Sequence, residues 1–342
     1  MKSAGVQSMP MRIMMLMVAY CSGLSHPLCD DTFLFAQLLA GHDVARPRDA
    51  VGAEQQKVFS MAKGMQNFMY LVGDRNTREC IAIDACYDPK GVVAAAEALG
   101  CNVTAAIGTH FHYDHIGHAG LIPMGPGLVL PGLDYFVREL EVPSYVHAVE
   151  RDTAAMQIGV SAAALSELPD VVNVGAVAIN VVHTPGHSPG GVTLVVVVDG
   201  EESTHRRSAA TPTRNSLVPP ILRRPRALVP RTCMKRRHTP ACVQPPHKLP
   251  SEWSCLAGLA LTGDTVFPGS CGRLDLPGAS VDAMYDSLQT LRERLVDDTL
   301  PLFPGHAYSG MSSTVGREKE SGVLRPVTRA QWRRAMSHNV AA

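Results

Sequence analysis

The chain has 342 residues, 46% hydrophobic and 18% charged, with 31 Lys and Arg balancing 31 Asp and Glu. That is long enough for one large or two small domains and apolar enough for a packed core. Residues 201–250 hold eleven of the basic and two of the acidic residues, leaving a net charge of about −9 elsewhere, which argues against a nucleic-acid-binding face there. Nine Cys without a C-x-x-C pair fit neither a disulfide framework nor a zinc ribbon, and no run is apolar enough for a confident membrane span.

In chain order, residues 1–31 have a basic start, an apolar stretch from Ile13 to Tyr20 and small residues after it. They are expected to be a leader or a disordered extension, which leaves the compartment open between cytoplasmic and organellar. From Asp31 the text changes, and one domain is expected over 32–342. "DTFLFAQLLAGHDVA" reads as a short strand or helix. "NFMYLVGDRNTRECIAIDA" reads as two strands around a polar turn at Asp74–Thr77. Residues 90–99 fit a helix stopped by Gly100, and "NVTAAIG" is a strand running into a His cluster. Residues 145–167 read as mostly helical. "VVNVGAVAINVVHT" gives two strands around Gly175, "GVTLVVVVDG" and "GLALTGDTVF" one strand each, and "VDAMYDSLQTLRERL" a helix. Between the last two strands, 201–256 is Pro- and Arg-rich without periodicity, and is expected to be a disordered, tolerated insertion.

The chemistry sits where strands end. "THFHYDH" places His110, His112, Asp114 and His115 directly after an apolar run. In an extended segment His110, His112 and Asp114 would share one face. Imidazoles with a carboxylate suit Zn, Fe or Mn. Three later strand ends add His187 in "HTPGHSPGG", Asp264 in "LTGDTVF" and His306 in "LFPGHAY", each beside glycine, which lets the backbone turn close to an ion. These seven donors suffice for two metals sharing one carboxylate. His183 is expected to remain on its strand in a structural role, and His118 is not counted as a ligand.

The order HxHxDH, TPGH, GD, GH resembles the metallo-β-lactamase superfamily, over roughly Phe33 to the C-terminus apart from 201–256. The resemblance implies an α/β (α+β) four-layer αββα sandwich: two mixed sheets face to face, helices outside, metals at one sheet edge. It implies two divalent ions, Zn first and Fe or Mn as alternatives. His110, His112 and His187 would hold one; Asp114, His115 and His306 would hold the other; Asp264 would bridge. Asp84 would stand behind these ligands and orient one of the histidines.

Within that superfamily, "NFMYLVGD", "GDTVFPGSCGRLDLPG" and "LPLFPGHAY" are similar to the hydroxyacylglutathione hydrolase (glyoxalase II)-like branch, and "CGRLD" also to persulfide dioxygenases. The expected activity is hydrolysis of a small-molecule thioester by a metal-bridged hydroxide, with Asp114 and Asp264 catalytic and Arg273 able to hold a substrate carboxylate. The alternative is a mononuclear-iron persulfide dioxygenase using His110, His187 and Asp264; a non-catalytic binding protein ranks below both. The thirty-six residues after His306 are expected to form a tail too short for the helical substrate domain of glyoxalase II proper.

Overall fold

The computed structural model describes residues 32–120, 127–198 and 258–339. The expected leader at 1–31 and the whole of the expected insertion at 201–256 lie outside the described residues. All described residues belong to one compact unit.

In chain order the chain forms β1 (Phe33–Leu39), α1 (Gly52–Met65), β2 (Phe68–Asp74), β3 (Glu79–Ile83), α2 (Pro89–Ala98), β4 (Asn102–Ile107) and α3 (Tyr113–Ile116). It continues with β5 (His118–Ala119), β6 (Val129–Leu130), α4 (Leu133–Arg138), β7 (Ser144–Val146), α5 (Arg151–Ile158), β8 (Ser166–Glu167), β9 (Val171–Val174), β10 (Val177–His183) and β11 (Val192–Val198). Then come β12 (Gly258–Gly263), α6 (Val281–Arg294), β13 (Pro301–Pro304), β14 (Ser313–Thr314), α7 (Val315–Glu320) and α8 (Arg329–Asn339).

Two six-stranded sheets carry the fold, ordered β1-β2-β3-β4-β7-β8 and β14-β13-β12-β11-β10-β9. Both are mixed: β1, β2 and β3 pair antiparallel while β3, β4, β7 and β8 run parallel. In the second sheet only β12 and β13 pair in parallel. Alternation decides which residue goes where. Phe68, Tyr70 and Val72 of β2 meet Ile179, Leu194, Leu261 and Phe303 between the sheets. Their β2 neighbours Met69 and Leu71 face outward onto a second apolar layer with Val58 and Phe59 of α1 and Val92 of α2. The outer face of the second sheet packs on α6 through Met284, Leu288 and Leu291, with Trp332 of α8. The result is the expected αββα sandwich.

Three local readings become more definite. The segment at 32–39 is a strand, with Leu34, Ala36 and Leu38 buried in alternation. Residues 145–167 are mostly helical, as α5 with a short 3-10 turn on either side, and the short parallel strands β7 and β8 frame them at the edge of the first sheet. The chain after His306 is not a loose tail. Trp332 Nε1 donates to Val281 O at 2.8 Å, and Arg333 forks onto Asp282 with both bonds at 2.7 Å, clamping α8 to α6.

The fully buried Glu318 organises the same region. It accepts from Gly269 N at 3.1 Å, Ser313 Oγ at 2.6 Å and Val323 N at 3.2 Å. Glu318→Ala would strand those donors, at a cost of about 2–4 kcal/mol. A urea titration should show this as a lower midpoint with an unchanged slope, and Glu318→Gln should recover part of it.

Candidate metal centre

Strand direction brings the donors together. β3 and β4 are parallel, so Asp84 and the Thr109–His115 segment leave the same end of the first sheet. β10, β12 and β13 point one way in the second sheet, so His187, Asp264 and His306 follow strand ends at one edge. Val192 N donates to Thr109 O at 3.0 Å, joining the two sheets at that edge. The first motif is not extended throughout: His112 has extended backbone and caps α3, whose single turn carries Asp114 and His115. The helix turn, rather than strand alternation, aims those two inward.

All seven predicted donors converge. His110, His112 and His187 form one group, Asp114, His115 and His306 a second, and Asp264 joins His110 and His115 in a third; within each, one donor atom per residue lies within 4.8 Å of the others. His112 presents Nδ1, 2.8 Å from His187 Nε2. Asp264 faces both sides, with Oδ2 3.3 Å from His187 Nε2 and 3.5 Å from His306 Nε2, and Oδ1 3.5 Å from His115 Nε2.

The rear atoms are held. His115 Nδ1 lies 2.9 Å from Asp84 Oδ2, His187 Nδ1 2.8 Å from Arg273 O, and His306 Nδ1 2.8 Å from Met65 O. Such bonds fix the ring tautomer and leave Nε2 free to ligate. Asp84 also accepts from Thr109 N at 2.7 Å and Thr109 Oγ1 at 2.8 Å. At Gly305 an added Cβ would lie 2.3 Å from Asp264 Oδ1, so only glycine lets the chain pass this close.

The donor set fits divalent cations. His110 Nε2 and Asp264 Oδ1 are buried and find no hydrogen-bond partner among the described residues. Buried polar atoms without a partner are costly, and a cation between them satisfies both. Without one, the electrostatics are strained in opposite directions. Burial, then His115 and neighbouring imidazoles, hold His110 well below the usual histidine range, and burial with His187 draws His112 down to about 4. Burial would lower His115 too, but Asp114, Asp84 and Asp264 outweigh it and raise it to about 9. For Asp114, burial pushes upward and is overcome by His115, His306 and Asn67, which keep it an anion.

Three residues had no local signature. Asn67 donates to Asp114 Oδ2 at 3.0 Å, and Tyr87 OH donates to Asn67 Oδ1 at 3.1 Å, so a buried chain holds the carboxylate from behind. The buried Glu150 accepts from Phe111 N at 2.9 Å and Gly190 N at 2.7 Å, tying the first His loop to the loop of His187. Glu150→Ala leaves both N–H groups unpaired, a loss of about 1–3 kcal/mol that should appear as a lower melting temperature and weaker metal retention. Unchanged melting would show that the two loops hold without it.

His183 ends β10, stacks on His147 at 4.0 Å between ring centroids and lies 2.9 Å from Pro189 O, the structural place expected for it. His118 takes the Gly120 N–H at 2.9 Å and joins none of the donor groups. Cys271 is half-buried, and burial with Asp264 pushes its thiol up to about 12, which keeps it protonated at neutral pH. Arg273 does not present an open fork: it bonds Asp275 at 2.9 and 2.7 Å. Beside it opens a cavity of about 940 Å³, with Cys271, Gly272 and Arg273 on one wall and Arg325, Trp332 and Met336 on the other.

An αββα sandwich with this His and Asp set at one edge defines the metallo-β-lactamase fold. No family model matches the chain. Human mitochondrial persulfide dioxygenase ETHE1 is 24% identical over 261 residues, covering 76% of this chain and 70% of that protein. Hydroxyacylglutathione hydrolase of Rhodospirillum rubrum is 25% identical over 243 residues, covering 71% of this chain and 63% of that protein. Among solved structures, a metallo-β-lactamase from Staphylococcus aureus superposes with TM-score 0.55 at 19% identity, covering 90% of this chain and 67% of that one. ETHE1 from Myxococcus xanthus gives 0.51 at 18%, covering 80% and 87%. The chain has the metallo-β-lactamase fold and is similar in sequence to proteins that share it. Among the described residues no helix is long and apolar enough to cross a membrane.

Proposed function

We propose that the chain is a two-metal hydrolase acting on a small-molecule thioester. The observation that carries this reading is the completeness of the second donor group: Asp114, His115 and His306 are buried, convergent and braced by Asn67, Asp84 and the Met65 carbonyl. His110, His112 and His187 would hold one ion, Asp114, His115 and His306 the other, and Asp264 would bridge. Two bound divalent cations, Zn in the first instance, would supply hydroxide at neutral pH and polarise a carbonyl.

The chain's own groups do the rest. Asp114, kept ionised, orients the attacking water. The half-exposed Tyr308 stacks on His306 at 4.5 Å and shields that ring from solvent. The adjoining cavity takes the non-reacting part of the substrate; its size suits a molecule larger than the reacting acyl group. Arg325 makes no ion pair among the described residues and faces this space with Trp332, so the pocket suits an anionic, partly apolar thiol component. A thiolate is a good leaving group and needs no strong acid.

The rival reading, persulfide dioxygenase chemistry at one iron, is favoured by the similarity to the human dioxygenase over 76% of this chain. One experiment separates the two. Metal content of the purified chain is measured alongside thiol release from a panel of S-acyl thioesters and oxygen uptake on glutathione persulfide. About two metals per chain with thiol release supports the hydrolase. One iron per chain with oxygen uptake replaces it with the dioxygenase.

A further inference from the structure

Far from the metal edge, two thiols meet at the other end of the first sheet. Cys80 is the second residue of β3, and Cys101 immediately precedes β4, its parallel neighbour. Their sulfurs are 2.7 Å apart, well inside ordinary non-bonded sulfur contact. Both side chains are buried, at 0% and 2% exposure, so the two sulfurs have each other as their nearest reaction partner. Among the described residues their other hydrogen bonds are to backbone carbonyls: Cys80 Sγ to Asn102 O at 3.5 Å and Cys101 Sγ to Ala96 O at 3.3 Å. Gly73 of β2 backs the pair, since a Cβ there would lie 2.6 Å from Cys80 Cβ. Their neighbours Glu79, Gly100 and Asn102 are exposed, so small fluctuations of the two turns admit a small oxidant.

We propose that Cys80 and Cys101 are an oxidation site, converted by a peroxide into an intrachain disulfide that bridges β3 to the start of β4. Cys101 is the first nucleophile. Its thiol is shifted downward chiefly by the hydrogen bond with Cys80, with help from the nearby Arg75 guanidinium. The Cys101 sulfur attacks one peroxide oxygen, the O–O bond breaks, and hydroxide leaves. The sulfenic acid formed is then attacked by the Cys80 sulfur; the S–S bond forms, the S–O bond breaks, and the oxygen leaves as water with the two thiol protons accounted for. Overall, two thiols and hydrogen peroxide give one disulfide and two waters. The site holds no proposed metal ligand, so it is independent of the reading of the metal centre.

The test uses the full chain treated with hydrogen peroxide, then denatured, alkylated and digested for peptide mass analysis. The Cys80 and Cys101 peptides should leave the alkylated pool and appear as one cross-linked species, which dithiothreitol splits. Cys86, buried with its sulfur against Tyr113 O at 3.2 Å, should stay alkylated as an internal control. Cys101→Ala and Cys80→Ser should each abolish the cross-link. Full alkylation of both cysteines after peroxide, or oxidation of Cys101 to sulfinic acid without a cross-link, would overturn the proposal.

Discussion

Asp264→Ala is expected to lower thioester turnover by about 1000-fold or more, equivalent to about 4 kcal/mol of transition-state stabilisation, and to take metal with it. Asp264 reaches both donor groups, with Oδ2 between His187 and His306 and Oδ1 toward His115. Removing it takes the shared anion from between two cations, so both sites weaken together. In the metal-free chain the carboxylate is a buried anion paired with His115, His187 and His306, so its loss also leaves buried imidazoles without a partner. Melting curves in chelator should therefore be somewhat lower for the variant, and the gap should widen once Zn is added. Elemental analysis and thiol release, run on the same preparation, complete the measurement. An Asp264→Ala protein that has lost its metal and kept full activity sinks the two-metal mechanism.

The fold and the donors differ in how far the sequence reveals them. Strands such as β2, β4 and β11 announce themselves as apolar runs punctuated by glycine and polar turns, and each donor segment follows such a run. Groups that act across the fold leave no such trace. Asn67 supports Asp114 from forty-seven positions away, and Glu150 joins loops thirty-nine and forty positions away. Each is one polar residue in an otherwise ordinary segment, and its partner is set by topology. The C-terminal helix was legible in principle. Thr328 and Gln331 form a reciprocal cap, with Thr328 N donating to Gln331 Oε1 at 2.8 Å and Gln331 N to Thr328 Oγ1 at 3.3 Å. That Thr-x-x-Gln spacing marks a helix start. What the spacing does not reveal is that Trp332 and Arg333 then lock onto α6. Between 145 and 167 the short parallel strands at a sheet edge are too brief for any periodicity to register.

Asp84→Asn is expected to weaken metal binding by about 10–100-fold without touching a single proposed ligand. Asp84 receives three donors, Thr109 N, Thr109 Oγ1 and His115 Nδ1, at 2.7–2.9 Å. An ionised carboxylate accepts all three. An asparagine amide offers one oxygen and turns an NH2 group toward at least one of those donors. The backbone is not at fault in this variant: Asp84 has φ 53, a left-handed conformation that Asn adopts as readily as Asp. The damage is confined to the acceptor count and the charge. Oδ1 alone can keep the Thr109 N–H, and His115 then loses the bond that fixes its tautomer and ring plane. Zn titration should show the second equivalent released before the first, because His115 belongs with Asp114 and His306 while His110, His112 and His187 keep their own contacts. Asp84→Ala should bind no better and should also unfold at lower urea. If Asp84→Asn binds two equivalents of Zn as tightly as the parent chain, the imidazole of His115 is held by packing alone, and the carboxylate behind it serves the loop rather than the metal.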